Sequence, residues 1–218
     1  PIHVGHLILA NYIVEYTDIE EVWLLVSPLN PLKSEDDLSD KYVRLEMTKL
    51  ALEGYPKIKA SDFEFDLPKP SYTINTLDAL KVKYPEHDFT LVIGADNWAI
   101  FESWHETDKI LENYKLKIYP RLGFRIKIPD RLKQKVEALD SPIIEISSTF
   151  IREGIEAGKN MRPFLTENVY DYIIEKGLYK HYKNEKLYQL VGIVKMQIKN
   201  EWVEAILYHL HGDKKLQF

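Results

Sequence analysis

Two short apolar runs constrain this chain more than any other feature. Val22-Trp-Leu-Leu-Val-Ser27 and Phe89-Thr-Leu-Val-Ile-Gly94 are continuous rather than alternating. That is the signature of a strand buried on both faces, as in a parallel sheet. Helical patterns lie around them. Residues 6–17 place Leu7, Ala10, Tyr12, Ile13 and Val14 on an apolar face. Ser39 can cap a helix over 40–53 carrying Val43, Met47, Leu50 and Ala51, which Gly54 and Pro56 stop. Residues 58–66 alternate, with Phe63 and Phe65 on one side, and predict a strand. A helix over 74–84 turns Ile74, Leu77 and Leu80 inward. Residues 97–113 are mainly helical and 115–119 are a strand. A helix starts near Asp130, a short strand spans 142–146, and helices follow from Ser147 and over 166–176. Strand and helix alternate to about residue 180. The pattern predicts an α/β fold: a doubly wound, Rossmann-like parallel sheet with helices on both faces.

The character changes after Tyr182. Residues 183–218 hold an apolar stretch, Leu190 to Ile193, and then a pattern predicting an amphipathic helix with Trp202, Ile206, Leu207 and Leu210. The division expected is a domain over 1–182 and an appendage over 183–218.

Composition narrows the function classes. A net charge of −5 offers no basic field for nucleic acid. The chain has no cysteine, which removes disulfides and thiolate metal sites and fits a reducing compartment, the cytoplasm. No run reaches the roughly 18 apolar residues of a membrane span. Neither nucleic acid nor membrane is an expected partner; assembly into a homo-oligomer is left open.

Four features fall where such a sheet presents its ligand edge. The first is His3-Val4-Gly5-His6, opening the first helix. A helix start carries unpaired N–H groups and the positive end of the macrodipole, and two imidazoles above it make a polyphosphate cradle. A surface turn with a capping histidine gives the same pattern. The second is Gly94-Ala95-Asp96, directly after an apolar run. Its carboxylate can accept from ribose hydroxyls, or simply cap a helix. The third is Ile146-Ser-Ser-Thr-Phe-Ile-Arg152. Hydroxyls and free N–H groups there offer donors to phosphate, and Arg152 lies one turn from Ser148. A Ser-capped helix with a solvated arginine is the plain alternative. The fourth is aromatic: Tyr72, Trp104 and His105 lie on edge loops where a flat ring can stack, whereas Trp98 reads as core. No Walker loop, H-E-x-x-H or G-x-S-x-G motif is present.

H-x-G-H near the start and I-S-S-T-x-I-R near the end of an α/β domain resemble the nucleotidyltransferase superfamily. Over about residues 1–182 the chain resembles its bacterial nicotinate mononucleotide adenylyltransferases. The Asn30-Pro31-x-Lys33 loop, Pro70-Ser71-Tyr72-Thr73, Ile93-Gly94-Ala95-Asp96, Ser103-Trp104 and Gly177-Leu178-Tyr179 extend the likeness. The resemblance implies adenylyl transfer from ATP to nicotinate mononucleotide, with Mg2+ accompanying ATP. It implies that His3, His6 and Arg152 are catalytic. ATP would contact His3, His6, Gly94, Asp96, Ile146, Ser147, Ser148 and Arg152. Nicotinate mononucleotide would contact Lys33, Ser71, Tyr72, Thr73 and Trp104. No resident metal ligand is implied. Preference for the amide nucleotide, or a non-enzymatic nucleotide-binding module, are the alternatives. Phosphopantetheine enzymes of the superfamily are shorter and lack the Ser-Tyr-Thr and Ser-Trp features.

The chain departs from the family pattern in places. A leading strand and a G-x-F-x-P turn precede H-x-G-H in that family, and only Pro1 corresponds to them here. The N-terminal strand is therefore expected to belong to a segment preceding Pro1, with Tyr188 to Ile198 as a substitute strand the lesser alternative. His105 stands where relatives often carry tyrosine, and Leu32 where the loop often carries histidine.

Overall fold

The computed structural model describes residues 1–28 and 40–179, together with the backbone elements at 188–198, 201–210 and 216–217. The chain divides into two compact units, Pro1–Leu178 and Tyr179–Phe218.

The first unit alternates helix and strand. In order, these are α1 (Val4–Tyr16), β1 (Val22–Leu25), α2 (Lys41–Ala51), β2 (Ile58–Ser61), α3 (Thr73–Lys83) and β3 (Thr90–Gly94). Then come α4 (Ala95–Ala99), α5 (Thr107–Asn113), β4 (Lys115–Tyr119), β5 (Val136–Ala138), α6 (Ser148–Glu156) and α7 (Glu167–Glu175). All five strands pair in parallel, as the apolar runs predict, in two sheets: β1-β2 and β3-β4-β5. Among the described residues β1 and β3 each have one paired neighbour. That explains why β1 is only half-buried, with Leu25 36% exposed, rather than covered on both faces.

Packing follows the helical faces read from the sequence. Ile74 and Leu77 of α3 and Ile110 of α5 meet Ile93 of β3 and Leu116 and Ile118 of β4 in one buried cluster. Leu7, Ala10 and Ile13 of α1 are also buried, as are Val169 and Ile173 of α7.

Several elements depart from expectation. The cap of α2 is Asp40, whose carboxylate accepts from the Tyr42 and Val43 N–H groups at 2.8 and 3.3 Å; Ser39 lies outside the described residues. The alternating stretch 58–66 is a strand only to Ser61, and Phe63–Asp66 form a 3₁₀ turn. A 3₁₀ turn, Asp130–Leu132, replaces the helix at Asp130. No ladder forms at 142–146; the third strand of that sheet is Val136–Ala138. Pro142 has no N–H to give a ladder, and Pro142, Ile144 and Ile146 line a cleft with the histidines instead.

In the second unit β6 (Tyr188–Ile198) pairs antiparallel with β7 (Glu201–Leu210), which pairs with β8 (Leu216–Gln217). The helix predicted around Trp202 is thus a strand. Its Trp202-Val203 and Ile206-Leu207-Tyr208 content is rich in β-favouring residues, and long hairpin pairing overrides the helical spacing. Among the described strands this sheet has the order β6-β7-β8.

Candidate active site

Parallel pairing of β3 with β4 builds the site. The register sets Gly94 opposite Tyr119 at the C-terminal ends of both strands. Ala95-Asp96 and Pro120-Arg121 therefore leave the sheet side by side. Asp96 Oδ1 and Arg121 Nε lie 3.8 Å apart, an ion pair too long for a hydrogen bond. Both atoms are buried without a hydrogen-bond partner among the described residues. A Cβ at Gly94 would press on Asp96 Oδ1 and the Tyr119 ring, so either side chain would have to give way.

Arg121 lines an open cleft with His3, His6, Tyr119, Ile144 and Ile146. His3 and His6 sit at the start of α1 with ring centroids 3.8 Å apart. The His3 backbone N–H donates to His6 Nδ1 at 3.3 Å. The proton of a neutral His6 ring is thereby assigned to Nε2, leaving a donor for a ligand. His3 is 6% exposed, and its Nδ1 has no partner among the described residues.

Burial lowers the His3 pKa to about 3, with the His6 charge acting in the same direction. Desolvation, with Arg121 among the positive neighbours, lowers His6 to about 4. Solvent reaches His6 and screens that push, so the enclosed His3 is the more firmly neutral of the two. Burial raises the Tyr119 phenol, which stays protonated. At neutral pH the cleft thus offers uncharged donors, and Arg121 is its one permanent cation among the described lining residues.

The His3 shift sets a stability dependence. Between pH 6.5 and about 3 the unfolded ring binds a proton that the folded ring refuses, so stability rises with pH across that window. Urea midpoints are expected to fall as pH drops below about 6.5, and His3→Asn should fall less steeply. Parallel pH profiles for the two proteins would remove this role from His3.

The second motif closes on the first. Ser147 caps α6, accepting from the Phe150 N–H at 3.1 Å. The Ser148 hydroxyl donates to the Pro1 carbonyl at 2.8 Å. Ile146 lines the cleft. Arg152 is half-buried and donates to Thr149 Oγ1 at 3.1 Å; it is not among the lining residues.

The aromatic features gather around the buried cluster of α3, α5, β3 and β4. Tyr72 and Trp104 pack on it, and Trp104 lies 5.4 Å from Phe101. Trp98 packs there too, as read from the sequence, stacked on Phe101 with its Nε1 donating to the Lys127 carbonyl. Tyr72 stacks on His105 at 4.2 Å. Ser71 Oγ and Trp104 Nε1 are buried without partners among the described residues. Thr73 begins α3. Lys33 lies outside the described residues.

Arg121 is the residue sequence reasoning missed. Its signal was available: it follows the strand next to the Gly94-Ala95-Asp96 strand, where parallel neighbours must deliver their loops to one edge.

Parallel strands with flanking helices, and a cleft of paired imidazoles and a guanidinium at the sheet's C-terminal edge, define a nucleotide-binding α/β domain. The chain belongs to the cytidylyltransferase-like family, whose model matches residues 1–154. It is 51% identical over 176 residues to a probable nicotinate-nucleotide adenylyltransferase of Bacteroides fragilis, covering 81% of this chain and 87% of that protein. It is 47% identical over 181 residues to the corresponding Flavobacterium johnsoniae protein, covering 83% and 94%. Among solved structures, a Plasmodium falciparum nicotinic acid mononucleotide adenylyltransferase complexed with NaAD shares the fold. Its TM-score is 0.66 at 22% identity, over 82% of this chain and 92% of that one.

Proposed function

We propose that this protein is a nicotinate-nucleotide adenylyltransferase. It transfers the adenylyl group of ATP to nicotinate mononucleotide, giving nicotinate adenine dinucleotide and pyrophosphate, a step of NAD biosynthesis. The observation that carries the reading is the junction of the two motifs. The Ser148 hydroxyl on the Pro1 carbonyl brings the α6 start to the H-x-G-H segment, beside a cleft holding the guanidinium of Arg121.

In this mechanism an oxygen of the mononucleotide phosphate attacks the α-phosphorus of ATP. The new P–O bond forms as the bond to the bridging oxygen of pyrophosphate breaks. No protein nucleophile is required, so the residues act by positioning and by stabilising charge. His3 and His6 donate to phosphate oxygens, and Arg121 faces the charge of the departing pyrophosphate. Ser147, Ser148 and Arg152 hold the polyphosphate from the α6 side, with Ile146 beneath it. Gly94 and Asp96 receive the adenosine. Ser71, Tyr72, Thr73 and Trp104 receive the nicotinate ring, and Lys33 the mononucleotide phosphate. Mg2+, a hard cation suited to oxygen ligands, would accompany the ATP phosphates and would supply charge screening there, with no protein ligand assigned to it.

Pyrophosphate release by the full-length protein tests this. Release is expected with ATP and nicotinate mononucleotide, and much less with nicotinamide mononucleotide. Faster release with the amide would move the assignment to the amide-preferring enzyme. No release with either would favour a binding module.

A further inference from the structure

The 3₁₀ turn Phe63–Asp66 carries a side chain that the proposed reaction does not use. Glu64 is 9% exposed. Its Oε1 accepts from the Thr76 hydroxyl at 3.0 Å. Its Oε2 is buried without a hydrogen-bond partner among the described residues. A buried carboxylate with one oxygen unmet is costly. Fold stability alone would be served as well by an apolar pair of similar size.

The placement of the pair shows what it can do. Thr76 lies in the first turn of α3, three residues after Thr73, which begins that helix behind the Ser71-Tyr72 loop. Its backbone N–H and its hydroxyl both reach the Tyr72 carbonyl, at 3.2 and 3.4 Å. The Tyr72 N–H in turn donates to the Pro70 carbonyl at 3.0 Å. Tyr72 has no side-chain cap bond of its own, yet its ring forms the stack with His105. The single proton of the Thr76 hydroxyl lies closer to the Glu64 carboxyl, while the Thr76 N–H keeps the carbonyl of the residue that presents the aromatic face.

We propose that Glu64 and Thr76 are positioning residues for the pyridine pocket. Glu64 holds the Thr76 hydroxyl and through it the first turn of α3, the Thr76 N–H in that turn holds the Tyr72 carbonyl, and the Tyr72–His105 face is set for the nicotinate ring. The inference rests on the proposed reading of that loop as the nicotinate mononucleotide side of the site. ATP binds at the other loops, so the two substrates should respond differently.

The test is steady-state kinetics of the full-length protein with both substrates varied, alongside thermal melting. The double variant Glu64→Met with Thr76→Val replaces both partners by apolar groups and should keep its melting temperature. Its KM for nicotinate mononucleotide should rise about tenfold or more, since small misplacements at a site are felt strongly. Its KM for ATP should stay within about twofold. Thr76→Val alone reads the same shift if the double variant fails to fold, and Thr76→Ser, which keeps the hydroxyl, should restore the wild-type value. Equal changes in both KM values, or a lower melting temperature with both unchanged, overturn the positioning role and leave the pair structural. A wild-type protein releasing no pyrophosphate overturns the reading of the reaction, and this proposal with it.

Discussion

His6→Ala is expected to lower turnover by about two orders of magnitude or more, with the fold intact. The ring is exposed at the start of α1, so its loss creates no core cavity. Its one protein hydrogen bond among the described residues is the acceptance from the His3 N–H at 3.3 Å, worth about 1 kcal/mol to stability. Catalytically the loss is larger. A preorganised donor aimed at developing charge is worth about 10²–10³ in rate in a site of this kind. Because the ring is held neutral, its contribution is an Nε2–H donor and not a fixed charge. His6→Gln can place an amide N–H near the same point and should recover part of the lost rate. The comparison is kcat for the three proteins at pH 7.5, with circular dichroism as the check on folding. Turnover of His6→Ala within about threefold of wild type would remove His6 from the machinery.

How much of this was legible in the sequence differs between fold and site. The apolar runs give away parallel strands by their continuity, but not their degree of burial, which depends on neighbours and leaves β1 half-exposed. The full length of 58–66 was not legible: Phe63 and Phe65 keep the alternation going, while the chain tightens into a 3₁₀ turn that buries Glu64 between them. Nothing local marks that glutamate as interior, since its partner Thr76 lies twelve residues on. The segment 142–146 misled for a related reason. Its alternation is real and turns Ile144 and Ile146 to the cleft, but ladder pairing went to Val136–Ala138. The H-x-G-H and I-S-S-T-x-I-R motifs were legible as patterns, and their approach through Ser148 and Pro1 is what the structure adds. The tail shows the limit of periodicity: residues 201–210 have both a helical spacing and strand-favouring residues, and the hairpin partner decided it.

Arg121→Ala should produce the other large loss, and its profile separates it from the histidines. Arg121 was invisible to motif reading because its meaning comes from register: Gly94 opposite Tyr119 puts it beside Asp96. Its Nε is buried without a hydrogen-bond partner among the described residues, and the Asp96 oxygen 3.8 Å away is too far to satisfy it. A guanidinium held in that way is available to a tetraphosphate-like charge, and its planar fork suits phosphate oxygens. Removal should lower kcat/KM for ATP by about 10²-fold, taking the range for one lost charge-stabilising donor. Arg121→Lys should restore only part, since an ammonium is a point charge without the fork. Stability should change by less than about 1 kcal/mol, because Asp96 and Arg121 are both partly exposed and their pair is long. One further signature follows from electrostatics. The Arg121 charge is among the influences lowering both imidazoles, so Arg121→Ala should move the His3 and His6 titrations upward, read by NMR as a function of pH. Lost activity with unmoved titrations would place Arg121 away from the histidines' field, and unchanged kcat/KM for ATP would take it out of the phosphate site.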